Sequence, residues 1–398
     1  MKKTSVIVNW VLCVCVAVWL SGCGGGSSGD QTQTPPVEYK YSPPLDIGDG
    51  WQVGDLDQLN IDPTALEILI KNIQNKFPGY LYIDSLVIAH NGQLVLEEQL
   101  RTSLDFADGW ASNQDIDLHV INSVTKSYTS ALIGIAIDQN LITGVDVPVH
   151  DFFQHKQPLA NWSESKASIT LEHWLNMQSG YNWDEWNVSY LDSTNLNSQM
   201  NNALDPIRFL LERPMATEPG TTFAYSTGIS FGIGRILQLA SGMSVADFLR
   251  EHLLIPLNIT KFDYWSLDNQ LHTGSALYLT TRDMAKFGQL FLDGGVWNGA
   301  RIISEDWVAR STTQRVNLNE SGSFGYGYQW WMNEYHVGQQ TFKSYSANGY
   351  GGQYIFVFPE IELVIAMTGS AYLDGQTSGR DIRAILQQTI LPSFVNAN

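Results

Sequence analysis

In the stretch "INSVTKSYTSALIGIAID" (121–138) a serine and a lysine stand three residues apart, Ser123 and Lys126. A serine hydroxyl is a poor nucleophile until a neighbouring base takes its proton. A lysine amine can be that base when it is neutral, and burial near the positive end of a helix favours the neutral form. Positions i and i+3 share a helix face, so the two side chains can touch. The chemistry this permits is acyl transfer through an ester on Ser123. A second reading stands beside it: Ser123 caps the helix and Lys126 snorkels outward. The same spacing recurs at Ser163-Glu164-Ser165-Lys166 in the polar segment "NWSESKAS", which reads as a solvated loop or a helix-cap region. A third group of interest is Tyr225 in "EPGTTFAYSTGISFGIGRILQLASG" (218–242). A tyrosine at a strand-to-helix junction can carry a proton between nucleophile and leaving group; the alternative is a core tyrosine.

These residues need a scaffold. The run after Lys126 is almost wholly apolar through Ile137, which predicts a helix buried on all sides. Helical periodicity also marks 62–76, 203–212, 229–241, 244–254 and 281–293, and 379–394 reads as a closing helix. "SLVIAH-NG-QLVLEEQL" (85–100) predicts a hairpin turning at Asn91-Gly92. "QYIFVF-PE-IELVIAMT" (353–368) predicts a second, with Pro359 at its turn and strands covered on both faces. Antiparallel hairpins at both ends with helices between them indicate an α+β sandwich, with a mostly helical second lobe at about 140–265.

The order of these motifs resembles that of the penicillin-recognising serine hydrolases: S-x-x-K on a buried helix, Y-S-x about a hundred residues later, and a glycine-containing strand motif in the last quarter. "ITLEHWLNMQSGYNWDE" (169–185) and "LTTRDMAKFGQLFLDGGVWNGARIISEDWV" (279–308) look like further segments of that family. The resemblance covers about residues 80–392. It leans toward the class C β-lactamase-like branch that includes carboxylesterases and 6-aminohexanoate-dimer hydrolase; Tyr328-Gln329-Trp330-Trp331 and the ending G-G-Q point to the latter. It implies an antiparallel sheet flanked by helices, as in β-lactamases and DD-peptidases. It also implies an acyl-enzyme on Ser123, with Lys126 and Tyr225 sharing the acid–base work, and an oxyanion hole from the Ser123 N–H and a second backbone N–H.

The third motif falls in "ANGYGGQ" (347–353). The family's spacing puts Ala347 at its basic position, Asn348 at its hydroxyl position, Gly349 at its glycine and Tyr350 at the oxyanion donor. Asn348, Gly349 and Trp331 are therefore expected against substrate. Two departures stand out. Ala347 supplies no charge where the family keeps Lys or His, and Thr227 replaces the usual Asn of the second motif. Both weaken a β-lactamase or DD-peptidase reading and leave the acyl-transfer groups in place. The expected substrates are small amides or esters. The alternatives are a β-lactamase or DD-peptidase, and, from a different class, a non-catalytic ligand-binding relative.

Other chemistries fit less well. The eight histidines are dispersed, with no H-E-x-x-H and no C-x-x-C, so no metal and no cofactor is expected. "ANGYGGQ" lacks the G-K-[ST] of a phosphate loop. His173 reads as structural. The segment "YNWDEWNVSY" (181–190) reads equally as cleft lining or as a partly buried loop. A net charge of −18 argues against nucleic-acid partners.

The amino terminus reads as a lipoprotein signal: Lys2 and Lys3, a short apolar run, then Leu20-Ser21-Gly22-Cys23. Residues 1–22 would be removed and Cys23 lipidated. Removing Lys2 and Lys3 takes the charge from −18 to −20 and leaves Cys23 as the one cysteine of three. Residues 23–50 read as the lipidated Cys and a flexible tether spanning roughly 25 Å over 24–44. The G-x-S-x-G match at Gly25–Gly29 lacks the flanking strand and helix of a nucleophile elbow. Residues 51–398 are expected to form the hydrolase domain, attached to the bacterial cell envelope and facing the periplasm, with the oligomeric state left open.

Overall fold

The computed structural model describes residues 37–112, 114–320, 323–373 and 379–395. The signal segment, Cys23 and the Gly/Ser-rich part of the tether lie outside them. Residues 37–398 form one compact unit, so the helical region at 140–265 shares its core with the sheet. Residues 37–50, expected in the tether, lie against the domain. Tyr41 donates from its hydroxyl to the Val95 carbonyl at 3.1 Å, Tyr39 bonds Glu98, and Asp49 pairs with Arg282 at 2.8 Å. The aromatic rings and the Asp49 carboxylate give this segment burial and ion pairing that a Gly/Ser coil lacks.

Among the described residues nine strands form the main sheet: β1 (Gln52–Val53), β2 (Ile83–His90), β3 (Gln93–Gln99), β4 (Val316–Glu320), β5 (Ser323–Tyr326), β6 (Trp331–Val337), β7 (Gln340–Gly349), β8 (Gln353–Phe358) and β9 (Leu363–Gly369). Their order is β1-β3-β2-β9-β8-β7-β6-β5-β4. All neighbours are antiparallel except the short β1 on β3. Both predicted hairpins are present. Asn91 and Gly92 both take positive φ (50° and 73°), the signature of a two-residue type I′ turn.

The paired strands β8 and β9 are mostly apolar because both faces of the sheet are covered there. Along β9, Leu363, Ile365 and Met367 join one apolar cluster while Val364 and Ala366 join another. The first lies under helix α1 (Thr64–Gln74) and the closing helix α5 (Gly379–Ile385, continued by Leu386–Ile390 and Leu391–Val395). The second lies under α2 (Thr125–Asp138), α3 (Thr227–Ser241) and α4 (Thr281–Leu292). Every residue of α2 from Thr125 to Ala136 is buried, as its composition predicts.

Candidate active site

Ser123 sits on a 3-10 turn, Asn122–Val124, that feeds directly into α2. Its neighbour Asn122 has φ 46°, a left-handed conformation that asparagine tolerates better than most residues. Asn122 is held there by its own side chain, which donates to the Tyr350 carbonyl at 2.8 Å. Neither the turn nor α2 has a side-chain cap bond, so the capping role considered for Ser123 is not taken up. The hydroxyl is left for other partners.

Lys126 lies one turn on. Its Nζ is 2.9 Å from Ser123 Oγ, 3.1 Å from Thr227 Oγ1 and 2.8 Å from the Gly274 carbonyl. The side chain is only 1% exposed. Burial draws its ammonium down to about 8, with Glu185 pulling the other way. Such an amine is neutral often enough near neutral pH to accept a proton. Gly274 can approach because it has no side chain: a Cβ there would stand 2.7 Å from Thr227 Cγ2.

Tyr225 closes the triad. It precedes Ser226, which caps α3 by accepting from the Ile229 N–H. The Ser123 side chain acts on the phenol, and Lys126 Nζ lies 4.9 Å from the ring centroid. Burial, then the Glu185 charge, raises the phenol well above its usual range; the Ser123 side chain opposes them. The phenol therefore stays protonated as a donor.

The third motif reaches the same place. Gly349 ends β7 and packs so closely on the chain before the nucleophile that a Cβ would sit 2.4 Å from the Ile121 carbonyl. Tyr350 follows immediately and is tied to Asn122. Asn348 lies two residues from Ser346, which pairs directly with Trp331 across β6, so Asn348 shares the sheet face that carries Trp331. Its Oδ1 accepts from Ser346 Oγ at 2.8 Å. Ala347 points the other way, into the apolar cluster beneath the sheet.

Aromatic rings form one wall. Trp331 and Trp186 stack on Tyr225 with centroids 5.8 Å and 5.0 Å away. Phe223 stands 6.0 Å from Trp331. Two residues before Trp331, buried Gln329 takes φ 65°. Gln329 accepts from Ser127 Oγ at its carbonyl (2.7 Å) and from Ser230 Oγ at its side chain (2.8 Å). Ser123, Lys126, Tyr225, Tyr350, Asn348, Gly349 and Trp331 thus lie around one site, and Cys23 lies outside the described residues.

Two groups escaped the sequence reading. The segment 181–190 is both things it was read as: Trp186 is 48% exposed beside Tyr225, while Glu185 is 1% exposed beneath it. Glu185 bonds Thr227, 42 residues away. Its only sequence signal was an acid among aromatics. The Gly274 carbonyl carried no signal at all, since any residue has a carbonyl. His173 is structural, as expected: its Nδ1 accepts from the Thr170 N–H in a capping box.

Comparison with known proteins follows the same lines. A 6-aminohexanoate-dimer hydrolase of Paenarthrobacter ureafaciens is 24% identical over 274 residues, covering 64% of this chain and 66% of that protein. Among solved structures, EstCE1, described as a hydrolase with promiscuous acyltransferase activity, superimposes with a TM-score of 0.63 at 14% identity, over 81% of this chain and 99% of that one. A family VIII carboxylesterase gives a TM-score of 0.58 at 16% identity, over 83% and 96%. The beta-lactamase family model matches residues 71–389, most of the chain. The protein belongs to the beta-lactamase family of serine hydrolases.

Proposed function

We propose that this protein hydrolyses small amides or esters through an acyl-enzyme on Ser123. One observation carries the reading: a buried amine, Lys126, 2.9 Å from the Ser123 hydroxyl. In the forward step the Ser123 proton passes to neutral Lys126 as Oγ attacks the acyl carbon. The carbonyl oxygen becomes an oxyanion held by the N–H groups of Ser123 and Tyr350. The C–O or C–N bond then breaks, and the leaving alcohol or amine takes a proton through Tyr225. Water repeats the sequence in reverse, releasing the acid and Ser123.

The substrate class follows from what faces the nucleophile. Ala347 is turned into the core and Asn348 offers an amide, so neither position presents a cation to a substrate carboxylate. Trp186, Trp331 and Phe223 offer an apolar wall. The relative named 6-aminohexanoate-dimer hydrolase supports the same choice. The envelope attachment through Cys23 is part of the proposal, and Cys23→Ser is expected to release the protein from the membrane fraction.

The test is a fluorophosphonate adduct located by mass spectrometry, with turnover of p-nitrophenyl esters, short linear amides and nitrocefin. An adduct on Ser123 and faster turnover of esters or amides are expected. An unlabelled Ser123 would overturn the nucleophile, and faster nitrocefin turnover would overturn the substrate class.

A further inference from the structure

We propose that Glu185, acting through the Thr227 hydroxyl, fixes the direction in which Lys126 presents its lone pair to Ser123, and is a positioning residue of this site. The inference rests on the reading of Ser123 as nucleophile and Lys126 as base.

Glu185 takes four donors in its buried position. Oε2 accepts from Trp183 Nε1 at 2.7 Å and from the Thr227 N–H at 2.8 Å. Oε1 accepts from the Tyr190 hydroxyl at 2.9 Å and from Thr227 Oγ1 at 2.6 Å. A carboxylate offers only acceptor sites, and a threonine hydroxyl has one proton to give. That proton goes to Glu185. Toward Lys126, 3.1 Å away, Thr227 Oγ1 can then only accept.

The Gly274 carbonyl, 2.8 Å from Lys126 Nζ, can also only accept. A neutral amine has two hydrogens and one lone pair. Thr227 and Gly274 take both hydrogens. The lone pair is left for the remaining partner, Ser123 Oγ at 2.9 Å, which is where a general base must point it. Glu185→Gln removes this constraint. Its NH2 can face Thr227, whose proton is then free to enter the Lys126 lone pair in competition with Ser123.

The charge acts in the same place. Around the amine stand Glu185 from the 181–190 segment, Tyr225 ahead of α3, Tyr190 against Glu185, and His272 beside Gly274. Burial holds both tyrosines protonated, and burial followed by Lys126 pushes His272 down to about 3, so it is neutral. Glu185 is the anion acting on Lys126, and it opposes burial.

The experiment is the pH profile of kcat/KM for p-nitrophenyl acetate in wild type, Glu185→Gln, Thr227→Val and Thr227→Ser. Wild-type rate is expected to rise with pH through about 8. In Glu185→Gln, kcat falls by roughly 10- to 100-fold with KM little changed, and the acid limb moves to lower pH because the supporting anion is gone. Thr227→Val loses kcat similarly, and Thr227→Ser, which restores the hydroxyl, recovers most of that loss. A purely structural Glu185 would lower the melting temperature and activity without moving the limb. An unmoved limb in folded Glu185→Gln, or full activity in Thr227→Val, overturns the proposal. If Glu185→Gln does not fold by circular dichroism, the two Thr227 variants decide. Fluorophosphonate labelling separates the layers: an unlabelled wild-type Ser123 defeats the nucleophile itself, whereas labelled wild type with an unmoved limb defeats only the Glu185 relay.

Discussion

The chain carries the spacing S-x-x-K twice, and the two copies fold into opposite uses. Both lysines are buried: Lys126 is 1% exposed and Lys166 is 0% exposed. Burial draws both ammonium groups down to about 8. The difference lies in the serines. Ser123 leaves the helix uncapped and faces Lys126 Nζ. Ser163 caps a four-residue helix by accepting the Lys166 backbone N–H at 3.1 Å. Lys166 Nζ turns away to the Leu211 carbonyl at 2.8 Å, over the Tyr181 ring. A lowered lysine is therefore no sign of catalysis by itself. What distinguishes the first pair is a hydroxyl with no structural duty beside the amine.

The sharpest way to break this comparison is to remove each amine in turn. Lys126→Ala is expected to lower kcat on p-nitrophenyl acetate by about 10²- to 10⁴-fold, the range for a lost general base. Lys166→Met is expected to stay within about threefold of wild type. Equal losses in the two variants, measured on folded protein at matched pH, would erase the distinction.

A smaller effect separates the lysines by stability. Each has a folded value near 8 against an ordinary 10.5. Below 8 both folded and unfolded chains hold the proton. Above it the folded chain sheds the proton first, so the unfolded chain binds more protons and stability rises with pH. Urea unfolding from about pH 8 to about 9.5 is expected to show that rise, with the slope reduced by about half in Lys166→Met. An unchanged slope would mean that Lys166 does not lose its proton on the folded chain in this range.

The sequence made some of this legible. Ser123, Lys126 and Tyr225 were readable because family motifs and local chemistry agree at those positions. The two hairpins were readable because Asn91-Gly92 and Pro359 are strong turn signals. β4 to β6 and most of β7 carry polar and aromatic residues in no clean alternation, so only the motif at the end of β7 is legible there. The Lys166 segment reads as a solvated loop or a helix-cap region because its neighbours are polar; Ser163 does cap, while the burial of Lys166 involves chain 45 residues later. The direction of Ala347 depended on strand register, which β6 and β8 set from both sides. Glu185 and Gly274 meet Lys126 only through the tertiary fold, the latter 148 residues away.

The smallest effect tests the serines. Ser163→Ala removes an N-cap bond and is expected to cost about 1 kcal/mol in chemical denaturation, with kcat unchanged. Ser123→Ala removes no cap, so its stability should match or exceed wild type while turnover is lost. Catalytic groups are held against local preference, and the left-handed Asn122 beside Ser123 is such a strain. The two alanine variants should therefore trade effects: one loses stability and keeps activity, the other loses activity and keeps stability. A Ser123→Ala variant destabilised as much as Ser163→Ala would show that the first serine also serves the fold, and the contrast between the two pairs would reduce to the direction of a lysine.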